Sequence, residues 1–175
     1  MEEKEVINVL QHYRHDLMNN LQVVQGYLTM GRQDKVEKKV GEMLRQYGEE
    51  SKLMGLKAPG FTLWVLRFNH IYNNLRLKYR VKTENKNLAS IDREVTELCR
   101  KTVEWLEEAC DETQMYDIIL EVTESEQSPE LKVKILLAGG NSVQLDERGK
   151  HQDKRLSISK TANGIQCELF VPFNI

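Results

Sequence analysis

Apolar residues recur along the first sixty positions at helical spacing. From Glu5 to Gly31 there is no proline, and Ile7, Leu10, Leu17, Leu21, Val24 and Leu28 follow in steps of three and four, with Arg14 in one slot. Placing Ile7, Arg14, Leu21 and Leu28 at heptad position a puts Leu10, Leu17 and Val24 at d, a coiled-coil-like seam. Gly31 suits the helix end, where a left-handed residue is wanted. Asp34, with Glu37 three residues on, predicts an N-cap and capping box for a second helix. Its inward positions are Val36, Val40, Met43, Leu44, Tyr47 and Met54, and it stops before Ala58-Pro59-Gly60. Residues 1–58 therefore form a helical hairpin with one apolar face. Two helices bury too little to stand alone. The simplest remedy is a second copy, giving a dimeric four-helix bundle; the alternative is packing on the rest of the same chain.

Beyond Pro59 the period changes. Phe61 to Asn73 reads as a helix, and Leu75 to Lys82 alternates as a strand does. Ile91 to Glu112 is an amphipathic helix with Val95, Leu98, Cys99, Thr102, Val103 and Leu106 on one face. Strands are expected at residues 118–122 and 131–136, with a loop at Ser128-Pro129 between them. A closing hairpin joins Leu156–Thr161 to Ile165–Val171, with Asn163-Gly164 as a two-residue turn whose positions both need positive φ. The fold class is α+β, with residues 59–175 as an α/β sandwich carrying helices on one face of a mixed sheet.

Composition narrows the function classes. The net charge is −2 with both signs interspersed, which offers nucleic acid no broad basic face. No apolar run reaches the length of a membrane span, and the start of the chain is charged. Three scattered cysteines argue against a disulfide framework and for a reducing, cytoplasmic setting. Four histidines leave little for a metal cluster, and the common nucleotide-binding and hydrolase signatures are absent.

The informative segment is Arg14-His15-Asp16-Leu17-Met18-Asn19-Asn20-Leu21-Gln22. In the heptad frame His15 and Gln22 fall at b, and His12 and Asn19 at f. His15, Asn19 and Gln22 thus share a polar stripe while the leucines face the seam. An exposed histidine is usually a plain surface side chain. Its nitrogen is nonetheless nucleophilic near neutral pH, and a phosphoryl group on it is labile and readily handed to a carboxylate. Asp16 is placed to orient the ring or act as a base, and Asn19 to hydrogen-bond phosphoryl oxygens; both are equally ordinary surface residues. Met18, Asn19 and Gln22 surround His15 as a candidate docking stripe.

Arg14-His15-Asp16 with Asn19 and Leu21-Gln22 resembles the phospho-acceptor box of citrate-sensor-type histidine kinases and of the sporulation initiation phosphotransferase family of bacilli. The second is closer in chain length, in its N-terminal hairpin and in the Ser51-Lys52-Leu53 and Leu56-Lys57 run. The resemblance implies a homodimer with His15 as acceptor. His15 then takes phosphate from the aspartate of a single-domain response regulator and gives it to that of a sporulation transcription factor. It also implies a C-terminal domain like a degenerate histidine-kinase ATPase domain. Where such kinases carry Asn-Leu-Leu-Asp-Asn-Ala, this chain has Glu104-Trp105-Leu106-Glu107-Glu108-Ala109. Where they carry an Asp-x-Gly-x-Gly box, it has Leu136 to Asn141 with Gly139-Gly140 as a turn, and Gly149 and Gly164 stand alone. The expectation is no cofactor on this chain, with Mg2+ in the partner regulator. Trp64, Trp105 and His70 are expected as core or interface residues. Two readings compete: the autophosphorylating core of a citrate-type sensor kinase, and a scaffold in which His15 is incidental.

Overall fold

The computed structural model describes residues 3–83, 87–125, 128–139, 143 and 154–173. The chain divides into two compact units, Met1–Glu50 and Ser51–Ile175.

The first unit holds α1 (Glu3–Thr29) and most of α2 (Gln33–Gly55). Helix α1 closes as the sequence anticipates: Gly31 is left-handed (φ 67°), and the amides of Met30 and Arg32 reach the carbonyls of Gly26 and Tyr27. The start of α2 differs from expectation. Asp34 is not the N-cap but lies in the first turn, where its carboxylate still meets the positive end of the helix. Lys35 lies 5.5 Å from the centre of the Tyr27 ring, a cation–π contact beside the turn.

The division falls inside α2, eight residues before the boundary expected at 58. Leu53, Leu56 and Ala58 are buried in the core of the second unit, so the last turn of α2 belongs there. The inward set of α2 changes accordingly. Val36, Met43 and Tyr47 are half-buried, whereas Val40, Leu44 and Met54 are exposed. Lys57 takes left-handed φ (54°), and Pro59 opens α3 (Pro59–Ile71) at a position needing no amide donor.

The second unit is a two-layer sandwich. Its strands are β1 (Leu75–Val81), β2 (Tyr116–Glu124), β3 (Glu130–Ala138), β4 (Leu156–Thr161) and β5 (Gly164–Pro172), in spatial order β1-β2-β3-β5-β4. β1 and β2 run parallel, joined through α4 (Asp92–Glu108), and the other pairs are antiparallel. Alternate residues of β2, β3 and β5 are buried on the face that α3 and α4 cover. The predicted face of α4 is buried in full: Val95, Leu98, Cys99, Thr102, Val103 and Leu106. Helix α3 contributes an aromatic ladder, Phe61, Trp64, Phe68 and Tyr72, with successive ring centroids 5.9, 5.5 and 4.5 Å apart.

Asp92 ties the two helices together. The N-cap residue of α3 is Ala58, which has no side chain to cap with. The Asp92 carboxylate accepts from the Gly60 and Phe61 amides instead, at 2.9 and 2.8 Å, while sitting in the first turn of α4.

One further expectation changes. The hairpin between β4 and β5 turns on Ala162-Asn163, because Gly164 already pairs with Thr161, and Asn163 does not adopt positive φ. Gly164 (φ 140°) is required for another reason: a Cβ there would lie 2.0 Å from the Leu137 carbonyl oxygen. His70 is exposed in the last turn of α3 and not in the core, whereas Trp64 is buried and Trp105 half-buried. Gly139 ends β3 with φ 76°, its amide donating to the Asn163 carbonyl; Gly140 and most of 146–155 lie outside the described residues.

Candidate functional site

Helix α1 supplies the platform. Its 27 residues carry no internal proline, so positions 12 to 22 sit on regular backbone. His15, Asp16, Met18, Asn19 and Gln22 are all exposed, and the His15 side chain keeps 71% of its surface open. The helical period brings His15 and Asn19 onto adjacent turns of one face, and Gln22 continues that stripe.

Two side chains converge on one atom of the ring. Asp16 Oδ1 lies 3.5 Å from His15 Nδ1, and the Asn19 side-chain amide lies 3.3 Å from the same nitrogen. When Nδ1 carries a proton it donates to the Asp16 carboxylate; when it carries none, it accepts from the Asn19 NH2. Either way Nδ1 is the engaged atom, and neither contact uses Nε2. A ring held by Nδ1 presents Nε2 as the nucleophile, with a carboxylate placed to stabilise positive charge as that nitrogen forms a bond. Met18 and Gln22 share the exposed surroundings of the ring. Sequence spacing puts Asp16 and Asn19 near His15, but their convergence on Nδ1 rests on side-chain rotamers that spacing does not encode.

Within the first unit, the seam residues flanking this stripe have little cover. Ile7, Leu10, Leu21 and Leu28 are 53, 61, 46 and 58% exposed, Leu44 of α2 is 68% exposed, and only Leu17 and Val24 of the seam are half-buried.

In the second unit, Glu104, Glu107 and Glu108 lie along α4. Glu104 pairs with Arg100 at 2.9 Å. The Glu107 carboxyl is pushed above its ordinary range, first by burial and then by Glu104, Glu108 and Glu112. Among the described residues no three His, Cys, Asp or Glu side chains stand together as a metal site. Among the described residues no helix is long and apolar enough to cross a membrane.

Comparison with known proteins gives matches over both units. Residues 1–56 match the family described as the alpha-helical domain of the SpoOB-type sensor kinase. Residues 57–155 match the family described as sporulation initiation phospho-transferase B, C-terminal. The sporulation initiation phosphotransferase B of Bacillus subtilis (strain 168) is 36% identical over 105 residues, which is 60% of this chain. The match spans 55% of that relative's length. Among solved structures, the histidine kinase domain from the Erythrobacter litoralis EL346 blue-light activated histidine kinase aligns with 65% of this chain and 60% of its own. The identity there is 11% and the TM-score 0.47. The Erythrobacter litoralis EL346 blue-light activated histidine kinase itself aligns with 90% of this chain and 59% of its own, at 16% identity and a TM-score of 0.45. Because the second profile alone covers more than half of the residues, the chain belongs to the family of the sporulation initiation phosphotransferase B C-terminal domain.

Proposed function

We propose that this protein is a phosphorelay histidine phosphotransferase that carries a phosphoryl group on His15 between the aspartates of two response regulators and does not draw it from ATP. The observation that carries the reading is the His15 imidazole: exposed on a regular helix, with Asp16 and Asn19 both at Nδ1 and neither contact using Nε2. Family membership and the relative's name support it.

In the proposed step, a phospho-aspartyl regulator docks over Met18, Asn19 and Gln22. The His15 Nε2 lone pair attacks phosphorus in line; the N–P bond forms as the P–O bond to the aspartate breaks, and the electron pair leaves on that carboxylate. The ring is then cationic, and its Nδ1 proton is held against the Asp16 carboxylate. Transfer to the second regulator reverses each change. Mg2+ belongs to the regulator's acidic site and offsets the phosphoryl charge there. The present chain positions the nucleophile.

Two further observations support the finer parts of the proposal. The bare seam on α1 and α2 fits a second copy of the hairpin, making a homodimeric four-helix bundle. Each large aliphatic side chain so covered contributes about 1 kcal/mol or more. The carboxylates along α4 replace the asparagines of the kinase box, and a triphosphate beside them would meet like charge. The proposed setting is cytoplasmic.

The test is phosphoryl transfer with purified protein, once from labelled ATP and once from a pre-phosphorylated single-domain response regulator. Acid-labile, base-stable label from the regulator alone, lost in His15→Ala, is the expected result. Label from ATP alone would make the chain the autokinase core of a citrate-type sensor. A partner-dependent phosphoryl flow that persists in His15→Ala would leave a scaffold.

A further inference from the structure

Helix α1 breaks its own pattern at one position. Between Lys4 and Arg32 the chain carries a single Lys or Arg, and it is Arg14. That cation stands in slot a of the apolar seam, in line with Ile7, Leu21 and Leu28, where the period asks for an aliphatic residue. A charge in such a slot works against covering the seam, because burying it without a partner costs more than packing contributes. Arg14 is exposed, and its side chain forms no hydrogen bond or ion pair among the described residues. A residue that breaks a local rule without an evident structural gain points to function.

The neighbouring residues say which function. Arg14 and Asp16 lie on opposite sides of His15, each about 100° around the helix. Asp16 Oδ1 and the Asn19 amide both meet the ring at Nδ1, at 3.5 and 3.3 Å. The anion thus stands at the nitrogen where the ring holds its proton, and neither contact comes from the Arg14 side. Leu17, three residues on, lies about 60° from Arg14 in the sense away from His15, so Arg14 is on the His15 edge of the seam. With the seam covered, the arginine stem lies along apolar surface and the guanidinium leaves toward water on that edge. An extended arginine spans more than the roughly 5–6 Å between neighbouring side chains of a helix, enough to reach past the ring.

We propose that Arg14 is a further catalytic residue of the transfer: its guanidinium binds the phosphoryl oxygens while phosphorus passes to and from His15 Nε2. The proposal rests on the reading of His15 as the phosphoryl carrier. The N–P bond forms as the P–O bond to the donor aspartate breaks; Arg14 keeps its proton throughout and exchanges no atom. A guanidinium presents paired N–H donors to two phosphoryl oxygens at once, which an ammonium does not. Asp16 and Arg14 then divide the charge of the step, the carboxylate facing the cationic ring and the guanidinium the anionic phosphoryl group.

The experiment uses the full chain and a phosphorylated single-domain response regulator as donor, and follows a single turnover of label onto the protein at saturating donor. Arg14→Gln, which keeps a polar side chain without the charge, is expected to transfer about 100-fold more slowly, with half-saturation for the regulator unchanged. Arg14→Lys keeps the charge but not the paired donors and should fall about 10-fold. Arg14→Ala should regain rate when guanidinium ion is added far below the concentrations that unfold proteins, a response that a packing or pairing role would not give. A wild-type rate in Arg14→Gln overturns the assignment. So does a slow Arg14→Ala that guanidinium does not rescue; where sedimentation then shows a changed oligomeric state, Arg14 is a determinant of helix pairing instead. His15→Ala separates the two ideas: label retained there removes the carrier reading, whereas label lost there with Arg14→Gln at the wild-type rate removes only the role of Arg14.

Discussion

The two units of this chain solve the burial problem in opposite ways. In the sandwich, the buried residues of α3, α4, β1, β2, β3 and β5 join one apolar cluster with Leu53, Leu56 and Ala58, and half-buried Leu156 and Ile158 of β4 pack against it. In the hairpin, the large apolar side chains of the seam remain half-open or open, and the most buried group is a carboxylate. A sheet closed by two helices covers its own apolar face; a pair of helices leaves a stripe on each. The sandwich thus covers its own apolar face, while the seam of the hairpin stays open.

The sharpest way to break the comparison is to strike the sandwich at its tightest backbone approach. Gly164→Ala places a methyl 2.0 Å from the Leu137 carbonyl at φ 140°, and is expected to destabilise the second unit by about 3 kcal/mol or more in urea unfolding. The converse experiment strikes the hairpin. Leu21→Asp with Leu44→Asp puts charge into the open seam; for the proposed homodimer, sedimentation should show a shift to monomer with loss of helicity, while unfolding of the sandwich stays where it was. A gentler cut falls between α3 and α4: Asp92→Ala removes the acceptor for two helix amides, for an expected cost of about 1–2 kcal/mol, and Asp92→Asn should cost less.

Smaller still is an effect of alkali confined to the sandwich. Burial raises all three thiols, Cys110 to about 11, Cys167 to about 12 and Cys99 in the same direction. Unfolded thiols lose their protons near 9, so between that value and 11 to 12 the folded state holds more protons than the unfolded one. Stability from these groups is complete below pH 9 and is lost as pH rises through the folded values. A pH series of urea midpoints, repeated after Cys110→Ser, measures the share of one thiol. Native thiols should also resist alkylation at neutral pH and react once the chain is unfolded. Met18→Ala, on the exposed stripe, should move stability by less than about 0.5 kcal/mol, as thermal unfolding would check.

Much of this architecture was legible in the residues, for reasons that differ by element. Helix α4 was the clearest, because its apolar stripe is continuous and the opposite face is charged. The seam of α1 was equally clear as a pattern, but a pattern does not say whether its partner lies within the chain. α2 misled because one helix serves two units: Val40 and Leu44 follow the hairpin's period, and Leu53 and Leu56 answer to the sandwich. Asp34 is favourable both as cap and within the first turn, so composition could not place it. The Asn163-Gly164 pair signalled a hairpin correctly, yet a period of two does not mark which residue begins the turn. For the candidate site, the heptad frame exposed His15, and family resemblance singled it out. Buried Glu50 is a carboxylate three residues after Tyr47, in a slot where the spacing asks for an apolar residue.

The aromatic ladder of α3 has an optical consequence. The two tryptophans of the chain, Trp64 and Trp105, both stand in the sandwich, and the hairpin carries only tyrosines. Excitation at the red edge of the absorption band therefore interrogates one unit and is blind to the other. Emission from Trp64, packed between Phe61 and Phe68, should report loss of the sandwich, whereas far-ultraviolet ellipticity should be dominated by α1 and α2. Recorded on one sample, the two signals make a natural two-colour assay: coincident traces would mean that the units melt together, and separated traces that each keeps its own transition.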